Sequence, residues 1–325
     1  MNPDVQLLAR AKLLKDLKIN LPNEVFFVTP RAFESWPVFL KHFIRVGGVI
    51  EAEPPPKSLC GHVAANLLLG PDGTVSVNSC QDIIVGATRR VIGAVYPQRT
   101  VPMAALEAAA AAVGSQLVSE GVTGYASASF VVFRDKGSGN LRMWGESMEL
   151  HLTSSALAHW TASLLTTTSN GASMDQTSLA GSTSSTSFGG SSSMASSVGS
   201  LLTSNKTGSY VITPALHHPK LSGLLFSSFF KLCRLQGISF DLRNKAGVVF
   251  NIYDSMACGT MGILTIGPSA PAATRIMSKA LAFMKKHIGS RTAAGAAAVA
   301  RGEDDGYCDF LEFDDAIKIR IKLIA

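Results

Sequence analysis

The feature that most limits what this chain can build is a long stretch without charge, Gln176 to Asn205, made of Ser, Thr and Gly with scattered apolar residues. Such a composition gains too little from burial to offset the entropy of ordering, so it and its flanks, residues 166–209, read as a disordered insert. Two patterned segments remain, one on each side, and each must be assembled from short elements. With 46% hydrophobic residues among 325, those segments hold enough material for a core. Charged residues are only 16% of the chain, yet no apolar run reaches the roughly 18 residues that a membrane span needs, so none is expected. The net charge of +6 comes from scattered Lys and Arg, with no basic helix or aromatic-spaced stripe, and nucleic acid is not an expected partner.

Apolar periodicity predicts helices over Val5 to Leu17 and Ala32 to Arg45, the second stopped by Gly47-Gly48. Short strands are expected at Val25 to Val28 and at Val49 to Ala52, ahead of three prolines. His62 to Leu69 and Thr74 to Val85 flank Gly70-Pro71-Asp72-Gly73, whose residues preset the dihedrals of a tight turn, so a hairpin is expected. An Ala-rich helix, capped by Thr100, runs to about Ser119. Strands Gly124 to Phe133 and Leu141 to Leu152 then meet across a polar turn, and a helix covers Ser155 to Leu165. Beyond the insert the pattern predicts a strand at Tyr210 to Thr213 and a helix at Leu221 to Leu235, apolar on more than one side and so read as buried. Three strands follow at Ile238 to Leu242, Val248 to Ile252 and Gly262 to Ile266. A helix capped by Ser269 then runs from Ala270 to Ile288. An acidic run from Glu303 to Asp315 precedes Ile317 to Ile324, whose period of two marks an edge strand with one basic face.

Chemistry-bearing motifs are few. Cys60-Gly61-His62 and His217-His218 match no common zinc spacing, and no Gly-x-Ser-x-Gly elbow anchors a serine nucleophile. The five cysteines (Cys60, Cys80, Cys233, Cys258, Cys308) are widely spaced and read as core residues. Their odd number, and the absence of an apolar leader after Met1, point to a reducing compartment, and the cytoplasm is the expected location.

One larger pattern stands out. Gly47-Gly48-Val49-Ile50-Glu51-Ala52, the hairpin around Gly70-Pro71-Asp72-Gly73, Gln81-Asp82-Ile83, Tyr96-Pro97-Gln98, Gly121-Val122-Thr123-Gly124-Tyr125 and Met143 to Leu152 follow one another in order. Tyr210 to Ile266, with His218-Pro219 and Gly247-Val248-Val249-Phe250, extends the series. Together they resemble the ATP-grasp region of the family of IQ-motif-containing protein H, which is related to ATP-grasp peptide ligases. The resemblance implies an α+β, ATP-grasp-like fold of antiparallel sheets flanked by helices, with a truncated nucleotide-binding subdomain. On that reading residues 1–46 are a partial helical subdomain and 47–165 the ATP-grasp-like core. Residues 166–209 are the insert, 210–289 the C-terminal α+β part of the same fold, and 290–325 a flexible segment, acidic run and terminal strand.

ATP-grasp enzymes hold Mg²⁺ against a triphosphate with an Asp on one strand and a Glu-x-Asn pair on the next, both of the latter on one face. The matching positions here are Ser129, Ser147 and Glu149, so a hydroxyl replaces each of two ligands. A register slip of one would instead offer Glu146 as a substitute and pair it with Met148, no ligand for a hard cation. Glu51 and Ala52 stand where an adenine hinge would be, and would bind cofactor only if nucleotide binding persists. The resemblance therefore implies no catalytic residue, no metal and no cofactor, in a pseudoenzyme that holds other proteins of a larger assembly. By family association that assembly is the axoneme of a cilium or flagellum. No Ile-Gln-x-x-x-Arg-Gly run occurs, so calmodulin is not an expected partner. The alternative is an Mg-ATP-dependent carboxylate–amine ligase with relocated ligands (Glu146, Glu149, Asp82); a third reading has a partner supply the missing subdomain.

Overall fold

The computed structural model describes residues 3–25, 27, 33–49, 52–86, 90–167, 208–251, 259–288, 308–309 and 313–318. The chain divides into two compact units, residues 1–53 with 290–307, and residues 54–289 with 308–325. In the first unit the described elements are helices α1 (Pro3–Ile19), α2 (Leu21–Glu24) and α3 (Trp36–Val46). Phe39 of α3 gathers Phe27, Phe33, Trp36 and Phe43 around it at ring-centre distances of 5.1 to 5.7 Å. Gly47 ends α3 at φ 83°, a positive value that glycine adopts without a Cβ clash, and donates its N–H to the Phe43 carbonyl.

The second unit is built on one continuous sheet. Its strands are β1 (Leu59–Leu69), β2 (Val75–Val85), β3 (Val91–Tyr96), β4 (Gly124–Arg134), β5 (Leu141–Glu149), β6 (Ser209–His217), β7 (Phe240–Asp241), β8 (Ala246–Asn251), β9 (Thr260–Gly267) and β10 (Cys308–Asp309). Among the described residues the order is β5-β4-β1-β2-β3-β6-β9-β8-β7, all antiparallel, with β10 parallel to the far half of β6. The expected hairpins β1–β2 and β4–β5 are present. The join between the two patterned segments is β3 against β6, where Ala94, Val95 and Tyr96 face Ile212, Val211 and Tyr210.

Helices cover both faces. α4 (Met103–Ser119) buries Leu106, Ala110 and Leu117 against Val63, Ala65, Leu67, Ala126 and Phe130. On the same face, α6 (Phe226–Leu235) and α7 (Ala270–Ile288) close a second core over Val95, Val211 and Ile263; the α7 residues Ala273, Met277, Ala280 and Met284 recur at helical spacing. The opposite face takes α5 (Ser154–Thr167), whose Ala158 and Ala162 meet Ala94, Tyr210, Ile212 and Leu264. Small residues there let the helix lie close to the strands. Ser269 caps α7 as expected, accepting the Ala272 N–H on its hydroxyl at 3.3 Å.

Four expectations are corrected. Thr100 does not cap α4, which begins at Met103 after Pro102; its hydroxyl donates instead to Asp82 Oδ1 at 2.7 Å. The helix expected from Leu221 is broken, with a single 3-10 turn at Pro219–Gly223 and Leu225 extended, so α6 starts at Phe226. That helix is amphipathic rather than buried all round, since Phe229 and Cys233 are buried while Phe226 and Leu235 are exposed. The edge strand expected from Ile317 is contradicted at its start: residues 313–318 are helical, with Phe313 and Ile317, four apart, both buried. Lys318 Nζ reaches Asp314 one turn back at 2.5 Å, which favours the helix as well. Residues 319–325, most of the insert, Glu51, the start of the acidic run, and Phe26 and Val28 of the expected strand at Val25 to Val28 lie outside the described residues; Val25 and Phe27 carry no strand. At Val49 to Ala52, the described ends Val49 and Ala52 carry no strand.

Phe313 covers Gly93 of β3, where a Cβ would fall 2.5 Å from the Ile212 carbonyl oxygen and 2.6 Å from the Phe313 ring. The first obstacle is backbone and cannot step aside. Gly93→Ala is therefore expected to lower stability by about 1–3 kcal/mol, read as a fall in the urea unfolding midpoint at unchanged slope.

Candidate functional site

The site follows from the register of β1, β2, β4 and β5. Ser129 lies opposite Ser147 on one side and Ala64 on the other, and Ser127 lies opposite Glu149 and Asn66 in the same way. Asn66 in turn faces Ser79, and Ala64 faces Gln81. Because side chains alternate along a strand, Ser127, Ser129, Ser147, Glu149, Asn66, Ser79 and Gln81 all share the α5 face. Polar groups on a buried face must find partners, and here they bond to one another. Asn66 Nδ2 donates to Gln81 Oε1 at 2.9 Å and to Ser79 Oγ at 3.2 Å, and Gln81 Nε2 donates to the Tyr210 hydroxyl at 2.9 Å.

This network also sets the start of α5. The Thr153 hydroxyl donates to Asn66 Oδ1 at 2.8 Å and accepts the Ala156 N–H at 3.2 Å, so it caps the helix while it is itself held by the sheet. A cleft of about 230 Å³ opens beside that helix end, bordered by Ser127, Ser129, Glu149, Thr153, Ser154 and Ser155 on its polar side. Ala64, Ile83, Val91, Ala94, Ile212 and Pro214 form its apolar wall. No Lys or Arg is among its described lining residues, and the one charge is Glu149, which pairs at 3.5 Å with His151.

The sequence-derived positions separate under this geometry. Ser129 and Glu149 come together in the cleft, whereas Ser147, opposite Ser129 on the same face, lies on the exposed edge strand outside the lining. Glu146 is the extra residue of a bulge in β5, between Ser147 opposite Ser129 and Gly145 opposite Phe130. Its carboxylate turns to His62 Nδ1 at 2.9 Å. Met148 pairs with Ala128 and so points to the other face. Asp82 is also on that other face, in the row of Val63 and Val95, and accepts the Arg99 N–H and the Thr100 hydroxyl at 3.1 and 2.7 Å. Ala52 is exposed, and Glu51 lies outside the described residues.

Ser127, Asn66 and the Thr153-Ser154-Ser155 run escaped sequence reasoning. A signal existed for the last, since Thr and Ser just before an apolar helical pattern mark a helix start. Two of the described cysteines are poor nucleophiles: burial pushes Cys80 up to about 12 and Cys233 to about 11, while Cys258 lies outside the described residues. Cys60 corrects the expectation of a core residue, being exposed.

The donors around the cleft do not suit Mg-ATP. A hard dication selects carboxylates, and the cleft supplies hydroxyls and a single Glu. Among the described residues no three His, Cys, Asp or Glu side chains are grouped as a metal would need. Among the described helices none is long and apolar enough to cross a membrane.

The family model described as "IQCH-like, ATP-grasp" matches residues 3–173. IQ motif-containing protein H of Danio rerio is 28% identical over 286 residues, covering 88% of this chain and 25% of its own length. The chain thus spans about a quarter of that curated relative. N5-carboxyaminoimidazole ribonucleotide synthetase from Thermus thermophilus superimposes at a TM-score of 0.45 and 11% identity, over 78% of this chain and 57% of that one. Biotin carboxylase from Campylobacter jejuni does so at 0.43 and 11%, over 76% and 50%.

Behind the cleft, the His159 ring of α5 packs edge-on to Tyr96 at 4.9 Å, and its Nδ1 is buried with no partner among the described residues. Burial holds this imidazole neutral, pulling its pKa from the ordinary 6.5 to about 4. Between those values the unfolded chain binds the proton and the folded chain does not, so stability is full above pH 6.5 and drains away as pH falls towards 4. The loss from this one group is expected to reach about 3 kcal/mol. His159→Phe keeps an aromatic ring against Tyr96 and should remove that component, measured as the difference between the two proteins' pH profiles of unfolding free energy.

Proposed function

Because this chain belongs to the IQCH-like, ATP-grasp family, we propose that it is a catalytically degenerate member whose work is to bind other proteins. The observation that carries this reading is the hydroxyl pair, Ser129 opposite Ser147, at positions where the family resemblance implies metal ligands. The would-be substitutes are engaged elsewhere, Glu146 with His62 and Asp82 with the Arg99 N–H and Thr100 hydroxyl. An active site with relocated ligands would need Asp82 and Glu149 together, and they occupy opposite faces of the sheet. For protein binding, the edge strand β5 presents exposed Trp144 and Met148 beside backbone groups that no described strand pairs, the kind of edge to which a partner strand adds. By family association, the partner assembly is the axoneme of a cilium or flagellum, and the protein is cytoplasmic.

Calorimetric titration with ATP, with and without Mg²⁺, tests the degenerate reading. The expected result is no detectable heat at millimolar ATP. Mg²⁺-dependent micromolar binding, about −8 kcal/mol, overturns it.

A further inference from the structure

We propose that β5 pairs with β5 of a second copy of this chain, antiparallel and about a two-fold axis, so that two sheets join into one. This deepens the reading of β5 as a protein-binding edge, on which it rests, by naming the partner. The first observation is how little covers the strand. β5 stands at one end of the sheet order, and eight of its nine residues are exposed, so both faces and the outer edge are open among the described residues. Long open edges are ordinarily blunted by Lys or Pro. Leu141 to Glu149 contains neither, and it shows Leu141, Trp144 and Met148 to solvent.

The second observation is the placement of charge. Arg142 stands near one end of the strand and Glu149 at the other, both exposed. Their β4 partners, Phe133 and Ser127, are an even number of residues apart, so both side chains project from one face, that of Trp144 and Ser147. A strand with opposite charges at its two ends and on one face is complementary to itself when the copies run antiparallel. Run parallel in register, it repels itself.

The bulge makes this complementarity possible. In a regular strand Arg142 and Glu149 would lie on opposite faces and could not meet directly across a two-fold pair; the extra residue, Glu146, brings them onto one. With Arg142 opposite Glu149 of the second copy, symmetry makes the same pair twice. Trp144 then falls opposite Ser147 on that face. On the other face Met143 meets Met148, and Leu141 meets Leu150, which is exposed just beyond the strand. Glu146 lies nearest the axis, but its carboxylate is turned back over its own sheet to His62 of β1. The far edge of the sheet, β7, is only two residues long. Head-to-tail pairing of edges therefore has little to build on, and the two-fold pairing closes at a dimer.

The test is sedimentation velocity of the full chain from low to high micromolar concentration, the range a small interface implies. The expected result is a reversible monomer–dimer equilibrium, with hydrogen exchange of the β5 amides slowing as the dimer fills. Arg142→Glu and Glu149→Arg should each weaken the dimer about tenfold, since each turns two attractive cross-strand pairs into two repulsive ones. Combined, they should restore it to within about threefold of the original, a recovery that separates lost pairing from lost folding. A monomer throughout, a dimer that neither reversal weakens, or a double variant no better than the singles would each overturn the pairing. The degenerate reading turns instead on the ATP titration, which none of these outcomes touches.

Discussion

Everything in the sheet unit depends on three residue pairs, Ala94 with Ile212, Val95 with Val211 and Tyr96 with Tyr210. They are the described place where strands from before the insert meet strands from after it. Without them the unit would be two smaller sheets, each with a long exposed edge. Side chains reinforce so short a ladder. Tyr96 and Tyr210 stack with ring centres 5.0 Å apart at 10°, and Gln81 ties the Tyr210 hydroxyl to the strand beyond. Burial drives the Tyr210 hydroxyl's pKa well above its ordinary value, so it stays protonated and able to bond. Gln81 also connects through Asn66 to Thr153, so the join between the halves and the placement of α5 belong to one hydrogen-bonded unit.

The parts of the fold legible in the sequence were those with one dominant local signal. The β1–β2 hairpin has a turn whose dihedrals its residues preset, and α7 repeats its apolar residues at helical spacing over nineteen positions. β3 carried no such signal. Ile92 to Val95 are buried on both faces, which erases alternation, and Gly93 sits mid-strand because Phe313 needs its space. The terminal segment misled for the opposite reason: its period of two is real, yet Phe313 and Ile317 gain more by burying together at a spacing of four. Tertiary burial outweighed a local pattern there, as it did at Thr100, whose hydroxyl serves Asp82 rather than a helix.

At the site, residue types were legible and their geometry was not. Ser129, Ser147 and Glu149 could be named from the order of motifs, but which of Glu146 and Glu149 shares the face of Ser129 turns on a single bulge residue. A one-residue difference in register reverses every side chain, and nothing in Gly145-Glu146-Ser147 announces where the extra residue falls. The participation of Asn66 and Thr153 was invisible for another reason. They are 87 residues apart and meet only once β1 and α5 are in place.

That network bears on how the hydroxyls of Ser129 and Ser147 are read. If the whole face had ceased to matter, its simplest replacement would be apolar, since a buried polar group is costly unless every partner is kept. Instead Asn66, Ser79, Gln81, Thr153 and Tyr210 stay mutually bonded in the interior. The cleft is bordered both by members of that network, Thr153 among them, and by Ser127 and Ser129. The bonded part of the polar face ties β1, β2 and β6 to α5, and the cleft beside it presents hydroxyls and a single carboxylate, Glu149. Such a donor set is a poor match for a hard dication, whereas the network beside it is costly to lose, since removing one partner leaves the others buried and unsatisfied.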